Sequence, residues 1–352
     1  MEATPSVVDA VADGCRSKPV SWDLLRDSEA RPVWRVSLAD GQSVVVKAVV
    51  GEGPEADERW ATVRGDGVAL KAAAASAVSP NLILIDDERR VFIQEDLGRG
   101  QSLAEVLLAD DRKLAEAAVI AFARSLALLH AATRGLPGKS RRLLFGSPVE
   151  LMRRLGPVMA ELGVEVDAAV WADVSDVEQE MVEPGPWRAL VHGDACPDNT
   201  LIRGDGSIAF FDFEFGSGGH SLIDTVYLHL PFPSCWCTNR LPAGLVADAD
   251  HVYRTTAGVT DGGAFASGLA AAGAACVLGT LDWHLAGTLE NDGMWGIASI
   301  RSRFATRLQA LADLAARAER FDGLRTFAVR LERQLASRWP DLEPLPFYPA
   351  FR

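Results

Sequence analysis

The chain lacks a basic excess. Lys and Arg total 35 against 48 Asp and Glu, a net charge of −13. A protein that grips nucleic acid needs a cationic face for the phosphates, so this balance argues against such a partner. It is compatible with a cationic small molecule and, more simply, with solubility. Cysteine is scarce. Cys15, Cys196, Cys235, Cys237 and Cys276 are odd in number and scattered, which predicts no disulfide framework and a reducing, cytoplasmic setting. No signal-peptide-like run opens the sequence, because Glu2, Asp9 and Asp13 interrupt it. No stretch reads as a membrane span. The most apolar one, Phe265 to Leu289, is rich in Ala and Gly and carries Asp282 and His284, as a buried helix would. Internal repeats and low-complexity tails are also missing. What remains is a chain of 352 residues, 48% hydrophobic, long enough for two lobes with a core each.

The first part reads as strands. Trp22 to Leu25 and Val33 to Leu38 are short and partly alternating, and the turn Ala39-Asp40-Gly41 leads into the β-branched run Ser43 to Val50. This pattern predicts a three-strand antiparallel meander with Lys47 in its third strand. Residues from about Pro54 to Ala77 read as a helix, ended by Pro80. Leu82 to Ile85 and Arg90 to Gln94 read as two more strands. Beyond Gly98 and Gly100 helices dominate. Leu114, Ala118, Ala121, Phe122, Leu126 and Leu129 recur at helical spacing, as do Phe304, Leu308, Leu311 and Ala315, and then Leu324, Phe327, Leu331 and Leu335. One hairpin interrupts them, at Thr200 to Phe211, around Arg203-Gly204-Asp205-Gly206.

The segment His192-Gly193-Asp194-Ala195-Cys196-Pro197-Asp198-Asn199 enters that hairpin, and Phe211-Asp212-Phe213-Glu214 leaves it. Phosphoryl transfer needs a carboxylate near the acceptor hydroxyl and oxygen ligands for the magnesium that carries the nucleotide phosphates. A turn centred near Asp205 places Asn199 and Asp212 at the same open end of the hairpin, an amide oxygen beside a carboxylate. Asp194 then lies a little further along, facing an incoming hydroxyl. Turn-forming Asp and Asn alone would account for the residue types but not for their framing by apolar strands.

This order resembles the protein-kinase catalytic loop and its metal-binding aspartate. His-Gly-Asp in place of His-Arg-Asp, and Asp-Phe-Glu in place of Asp-Phe-Gly, look more like the aminoglycoside phosphotransferase and choline kinase families. The resemblance implies an α+β, protein-kinase-like bilobal fold. Residues 1–97 would form a nucleotide-binding lobe, a small antiparallel sheet with one helix. Residues 98–352 would form a larger, mainly helical catalytic and substrate-binding lobe. It implies transfer of the γ-phosphoryl group of ATP or GTP, with Mg²⁺, to a hydroxyl of a small, amine-bearing molecule. Asp194 would be the catalytic base or hydroxyl-orienting carboxylate, Asn199 and Asp212 the metal ligands, and His192 a brace for the loop. Asp224 would steady the loop, although an ordinary helix N-cap explains it equally well. Lys47 matches the lysine that grips the α- and β-phosphates. Its partner in the family is a helix glutamate; here the matching position is Asp66, between two glycines, with Glu58 and Glu55 as alternatives. Glu95 and Leu97, in Gln94-Glu95-Asp96-Leu97-Gly98, match the hinge whose backbone meets the adenine edge. No glycine-rich phosphate loop is present, and Ser28-Glu29-Ala30-Arg31 takes its place.

Other features have competing readings. Cys235-Trp236-Cys237 is a poor zinc motif, with only His229 nearby. Trp236 and Phe232 read either as an acceptor wall or as core aromatics. The acidic stretch from Glu150 to Glu183 reads as a solvated face in preference to a carboxylate-lined pocket. Asp282, Trp283 and His284 are a second candidate wall, or a buried polar network. His130 reads as a packed helix-end histidine. The alternative to an enzyme is a non-catalytic nucleotide-binding scaffold, prompted by the missing helix glutamate.

Overall fold

In a computed structural model of the chain, residues 2–136 and 147–352 are described, except for the side chains of Trp283 and His284. The N-terminal lobe contains α1 (Pro5–Cys15), β1 (Pro19–Arg26), β2 (Val33–Leu38), β3 (Ser43–Ala48), α2 (Pro54–Ala73), β4 (Leu82–Asp86) and β5 (Val91–Glu95). The strands form one antiparallel sheet in the order β1-β2-β3-β5-β4. β3 is therefore the central strand, and Lys47 lies between Val33 and Phe92 on its neighbours.

The β-branched run in β3 has an apolar residue on both faces, so both faces need cover. Val44, Val46 and Ala48 point to one side, with Trp34, Val36 and Leu38 of β2. There α1 packs, through Val7, Ala10 and Val11. Thr4 caps this helix by accepting the Val7 N–H, and Pro5 occupies its first turn. The lobe thus has two helices where the resemblance implied one. Thr-Pro followed by apolar residues at positions 7, 10 and 11 is the signal for the extra one. On the other face lies α2. A Cβ on Gly67 would stand 2.8 Å from Ile85 Cδ1 and 3.0 Å from Phe92 Cδ2, so the glycine lets the helix lie close to the sheet.

The C-terminal lobe contains α3 (Leu103–Leu108), α4 (Arg112–Ala132), α5 (Pro148–Glu161), α6 (Ala168–Val182), β6 (Arg188–Val191), β7 (Thr200–Ile202), β8 (Ile208–Phe210), β9 (Ser217–His220) and α7 (Leu222–Thr225). It continues through α8 (Ala243–Ala257), α9 (Gly262–Thr288), β10 (Met294–Trp295), β11 (Ala298–Ser299), α10 (Ile300–Ala318) and α11 (Asp322–Arg338). Two helices, Arg112–Ala132 and Gly262–Asp282, are long and apolar enough to cross a membrane by length and composition, yet their apolar windows are 56% and 83% buried within the protein. They are core helices of this lobe. The single embedded hairpin expected from the sequence is joined, among the described residues, by two further strand pairs, β6–β9 and β10–β11. β9 reads Ser-Gly-Gly-His, which carries no strand signature, and its pairing with β6 is set by the tertiary structure.

Candidate active site

The β7–β8 hairpin pairs Thr200 with Phe210, and the Phe211 N–H donates to the Asn199 carbonyl at 3.1 Å. Asn199 and Asp212 therefore flank the open end of the same hairpin. The Asn199 Nδ2 donates to the Asp194 carbonyl at 3.0 Å and to Asp194 Oδ2 at 3.3 Å. Its Oδ1 accepts no hydrogen bond among the described residues. Asn199 thus keeps an amide oxygen without a hydrogen-bond partner, and Asp212, next to the residue that bonds the Asn199 carbonyl, offers a carboxylate; both are hard oxygen donors of the kind Mg²⁺ takes. Asp212 holds a left-handed backbone, φ 66°, unusual for a residue with a side chain and a form of strain that clusters at functional sites.

The backbone of the His192–Asn199 loop is held from behind. Asp224, fully buried, accepts the His192 N–H at 2.6 Å and the Gly193 N–H at 2.9 Å, and lies 3.1 Å from His130 Nε2. Of the two readings of Asp224, the loop brace is the one its contacts match. His192 accepts the Asp194 N–H at Nδ1 (3.3 Å), so the proton resides on Nε2, which donates to the Phe211 carbonyl at 3.0 Å. The histidine ties the two arms of the motif together. Gly193 has φ +78°, and a Cβ there would meet the Phe215 carbonyl oxygen at 2.7 Å. Only glycine fits where the protein-kinase pattern has arginine.

Across the cleft, Lys47 Nζ lies 2.5 Å from Asp66 Oδ2 and 2.6 Å from Asp212 Oδ1. Burial pulls the ammonium down, and the two carboxylates outweigh it, so Lys47 stays charged above its ordinary range. Asp66 also accepts the Phe213 N–H at 2.8 Å. It is Asp66, and neither Glu55 nor Glu58, that meets the lysine. The shorter side chain reaches because Gly67 draws α2 against the sheet. Glu55 instead pairs with Arg59 on the surface. Burial pushes the Asp212 carboxyl up and Lys47 more than offsets it, leaving the group below its ordinary value. Burial raises Asp194, against the hydrogen bond it accepts from Ser234.

A cavity of about 290 Å³ opens between the lobes, lined by Val33, Lys47, Asp66, Gln94, Glu95, Leu97, Leu201 and Asp212. Glu95 and Leu97 thus border it. The Glu95 carboxylate turns to the Asn81 N–H and Nδ2, at 3.0 and 2.8 Å. Asp96 takes Arg35 at 2.7 and 3.0 Å and Ser43 at 2.7 Å, while Arg35 also donates to the Gly98 carbonyl at 2.8 Å. Arg26 and Arg31 add positive charge at the cavity mouth, and Arg31 reaches Glu214 of the other lobe at 3.2 Å. Asp96, Arg31 and Glu214 line the cavity without having been expected there from the sequence. A charged residue inside the hinge segment and an arginine where a glycine loop is missing were the available signals.

The cysteines correct one expectation. Cys196 and Cys235 form a disulfide with Cα atoms 5.7 Å apart, where the cysteine pattern predicted none. Their separation of 39 residues gave no cue, and the bond removes the cysteine argument for a reducing compartment. Cys237 is a buried thiol, pushed up to about 12 by burial. Among the described residues, the sulfur-bearing cluster Cys196–Asp198–Cys235 has its sulfurs bonded to each other and offers no zinc site. Phe232 is fully buried against Phe122 and Tyr348, so it is core. Trp236 is 42% exposed, and its Nε1 donates to Asp198 Oδ2 at 2.8 Å, beside the catalytic loop.

Of the acidic stretch, Glu161, Glu165, Asp176 and Glu183 are exposed. Asp173 caps α11 through the Leu324 N–H, and Glu180 pairs with Arg320 and His220. Asp282 is bidentate to Arg154. The Trp283 and His284 side chains lie outside the described residues.

The model of the phosphotransferase enzyme family matches residues 28–259. No curated protein matches the sequence significantly. Among solved structures, a choline/ethanolamine kinase family protein from Mesorhizobium loti is similar at 18% identity and TM-score 0.52, over 89% of this chain and 93% of that one. An aminoglycoside phosphotransferase from Alicyclobacillus acidocaldarius is similar at 13% and 0.50, over 96% and 98%. The choline kinase LicA from Streptococcus pneumoniae is similar at 15% and 0.50, over 87% and 97%. These likenesses show the bilobal, protein-kinase-like fold.

Proposed function

Because the chain belongs to the phosphotransferase enzyme family, we propose that it moves the γ-phosphoryl group of ATP or GTP to a hydroxyl of a small, amine-bearing molecule. The observation that carries this reading is the meeting of Asp194, Asn199 and Asp212 around one hairpin mouth, with Lys47 reaching Asp212 from the opposite lobe. LicA has also been crystallised with AMP, which supports a nucleotide in this fold.

In this reading residues 1–97 form the nucleotide lobe and residues 98–352 the catalytic lobe. The adenine edge meets the backbone at Glu95 and Leu97. Lys47, kept charged and aimed by Asp66, takes the α- and β-phosphates. Asn199 and Asp212 hold Mg²⁺, which when bound neutralises charge on the phosphate oxygens. Asp194 orients the acceptor hydroxyl and receives its proton as the new O–P bond forms and the bond to the β-phosphate oxygen breaks, releasing the nucleoside diphosphate. The scaffold alternative rested on the missing helix glutamate, and Asp66 occupies that role geometrically.

We place the protein in the cytoplasm, where nucleoside triphosphates are made. There the Cys196–Cys235 bond stands against a thiol pool, and the mass of rapidly alkylated protein reads its state. The test of function is turnover of ATP and GTP over a panel of hydroxyl acceptors, wild type against Asp194→Ala. Nucleotide binding without turnover on any acceptor would favour the scaffold.

A further inference from the structure

Asp194 has a neighbour that none of its own motif supplies. Ser234 Oγ donates to Asp194 Oδ1 at 2.5 Å, across 40 positions of sequence. A hydroxyl has one proton, and here the carboxylate takes it. The Tyr227 hydroxyl lies 2.9 Å from Ser234 Oγ and 3.5 Å from the Gly193 carbonyl, and across the shorter contact it is the donor, since the Ser234 proton is already engaged. Tyr227 is fully buried, and burial raises its phenol well above the ordinary value, so it keeps the proton it donates. The chain runs Tyr227 to Ser234 to Asp194, each hydroxyl oriented by the one behind it. Asn199 Nδ2 restrains the other carboxylate oxygen at 3.3 Å, long enough to yield to an incoming hydroxyl.

The loop that carries Ser234 is held by two buried arginines. Arg303 and Arg307 of α10 are 1% and 3% exposed, and neither has a carboxylate partner among the described residues. Their guanidinium groups serve oxygens of this loop, and Arg303 also donates to the Trp295 carbonyl of β10 at 2.5 Å. Arg303 donates to the Cys235 carbonyl and to Thr238 Oγ1, both at 2.7 Å, and to the Trp236 carbonyl at 3.2 Å. Arg307 donates to the Pro233 carbonyl at 2.9 Å. Burial without an anion pushes Arg303 down to about 10 and Arg307 to about 9. Burying two cations this way is costly, and it fixes the residues on either side of Ser234. The next residue, Cys235, is bonded to Cys196, two positions after Asp194.

We propose that Ser234 is the positioning residue of Asp194: its hydroxyl, aimed by Tyr227 on a loop clamped by Arg303 and Arg307, locks the carboxylate so that one oxygen faces the acceptor. This rests on the assignment of Asp194 as the proton acceptor. The contact acts on the reacting hydroxyl and leaves the nucleotide half of the cleft untouched, which gives it a distinct kinetic signature.

The test measures kcat and nucleotide KM for wild type, Ser234→Ala, Ser234→Thr and Tyr227→Phe, with Mg-ATP and the best alcohol acceptor of the panel, and with water as acceptor. Ser234→Ala is expected to lose about tenfold or more in kcat, roughly what misplacing a catalytic group costs, with nucleotide KM unchanged. Ser234→Thr, which keeps the hydroxyl, should recover most of the loss, and Tyr227→Phe should show a smaller loss of the same kind. Melting curves of the four proteins establish that each is folded. An unchanged kcat in Ser234→Ala, a nucleotide KM that rises in step with the loss, or a Ser234→Thr as slow as the alanine variant overturns the proposal. Asp194→Ala is run alongside. If it turns over as wild type does, the role of Asp194 itself fails and the proposal falls with it. If it is inactive while Ser234→Ala is unaffected, only the proposal falls.

Discussion

At the scale of single residues, Asp194 and Asp212 are both acidic and both buried, yet their surroundings set them different tasks. Asp212 is bound to Lys47 across the cleft, whereas Asp194 is bound only by neutral donors. Asp194→Ala should cut turnover by about 10² to 10⁴ with nucleotide affinity retained. Asp212→Ala should also weaken Mg-nucleotide binding, and equal affinity losses measured by calorimetry in the two variants would contradict the roles. Asp224→Ala should cost on the order of 3 kcal/mol in denaturant unfolding, because it strands the buried N–H groups of His192 and Gly193. Asp96 gives a pH signature. Burial raises its carboxyl, but Arg35, Ser43 and the Gly98 N–H outweigh that and hold it below its ordinary value. A depressed folded-state value adds stability that is complete above the unfolded value of about 3.9 and disappears as pH falls through the folded one. Asp96→Asn should therefore lower the melting temperature at neutral pH, with the gap to wild type closing on acidification below that value.

At the scale of elements, α2 shows how a departure from pattern is accommodated. Asp66 is one methylene shorter than the glutamate expected there, and Gly67 lets the helix approach the sheet closely enough to compensate. Gly67→Ala should push α2 outward, cost about 1–3 kcal/mol by overpacking, and weaken nucleotide binding through a loosened Lys47–Asp66 pair. Calorimetry of nucleotide binding on a variant shown to be folded checks it. The hairpin and its flanking Asp and Asn residues were legible in the sequence, because their chemistry dictates residue type and the turn dictates spacing. The strands β2 and β3 were legible from alternation and β-branching. α1 was harder to see, since only three residues, Val7, Ala10 and Val11, are fully buried along it. β9 was invisible, because two glycines carry no periodicity. The contacts of Ser234, and the pairing of Cys196 with Cys235, join segments about 40 positions apart and are decided by packing that no local pattern encodes.

At the scale of the whole molecule, the disulfide and the interlobe contacts govern how the parts hold together. Closing a loop of this length restricts the unfolded chain by about 4 kcal/mol in the chain-entropy picture. Reduction, or Cys196→Ser with Cys235→Ser, should lower the melting temperature by several degrees. The only residues contacting Lys47 through ion pairs, among those described, are Asp66 in its own lobe and Asp212 in the other. Lys47 thus ties the two lobes together through the same ammonium that the proposed function assigns to the phosphates. Under the proposed function an arriving polyphosphate would compete with Asp212 for the ammonium, and a divalent ion on Asp212 would free the lysine for it. Nucleotide and cation should therefore enter as a couple: with the cation chelated away, the bare triphosphate would meet a lysine already ion-paired and repulsion from Asp212 and Glu214, and its affinity should fall sharply.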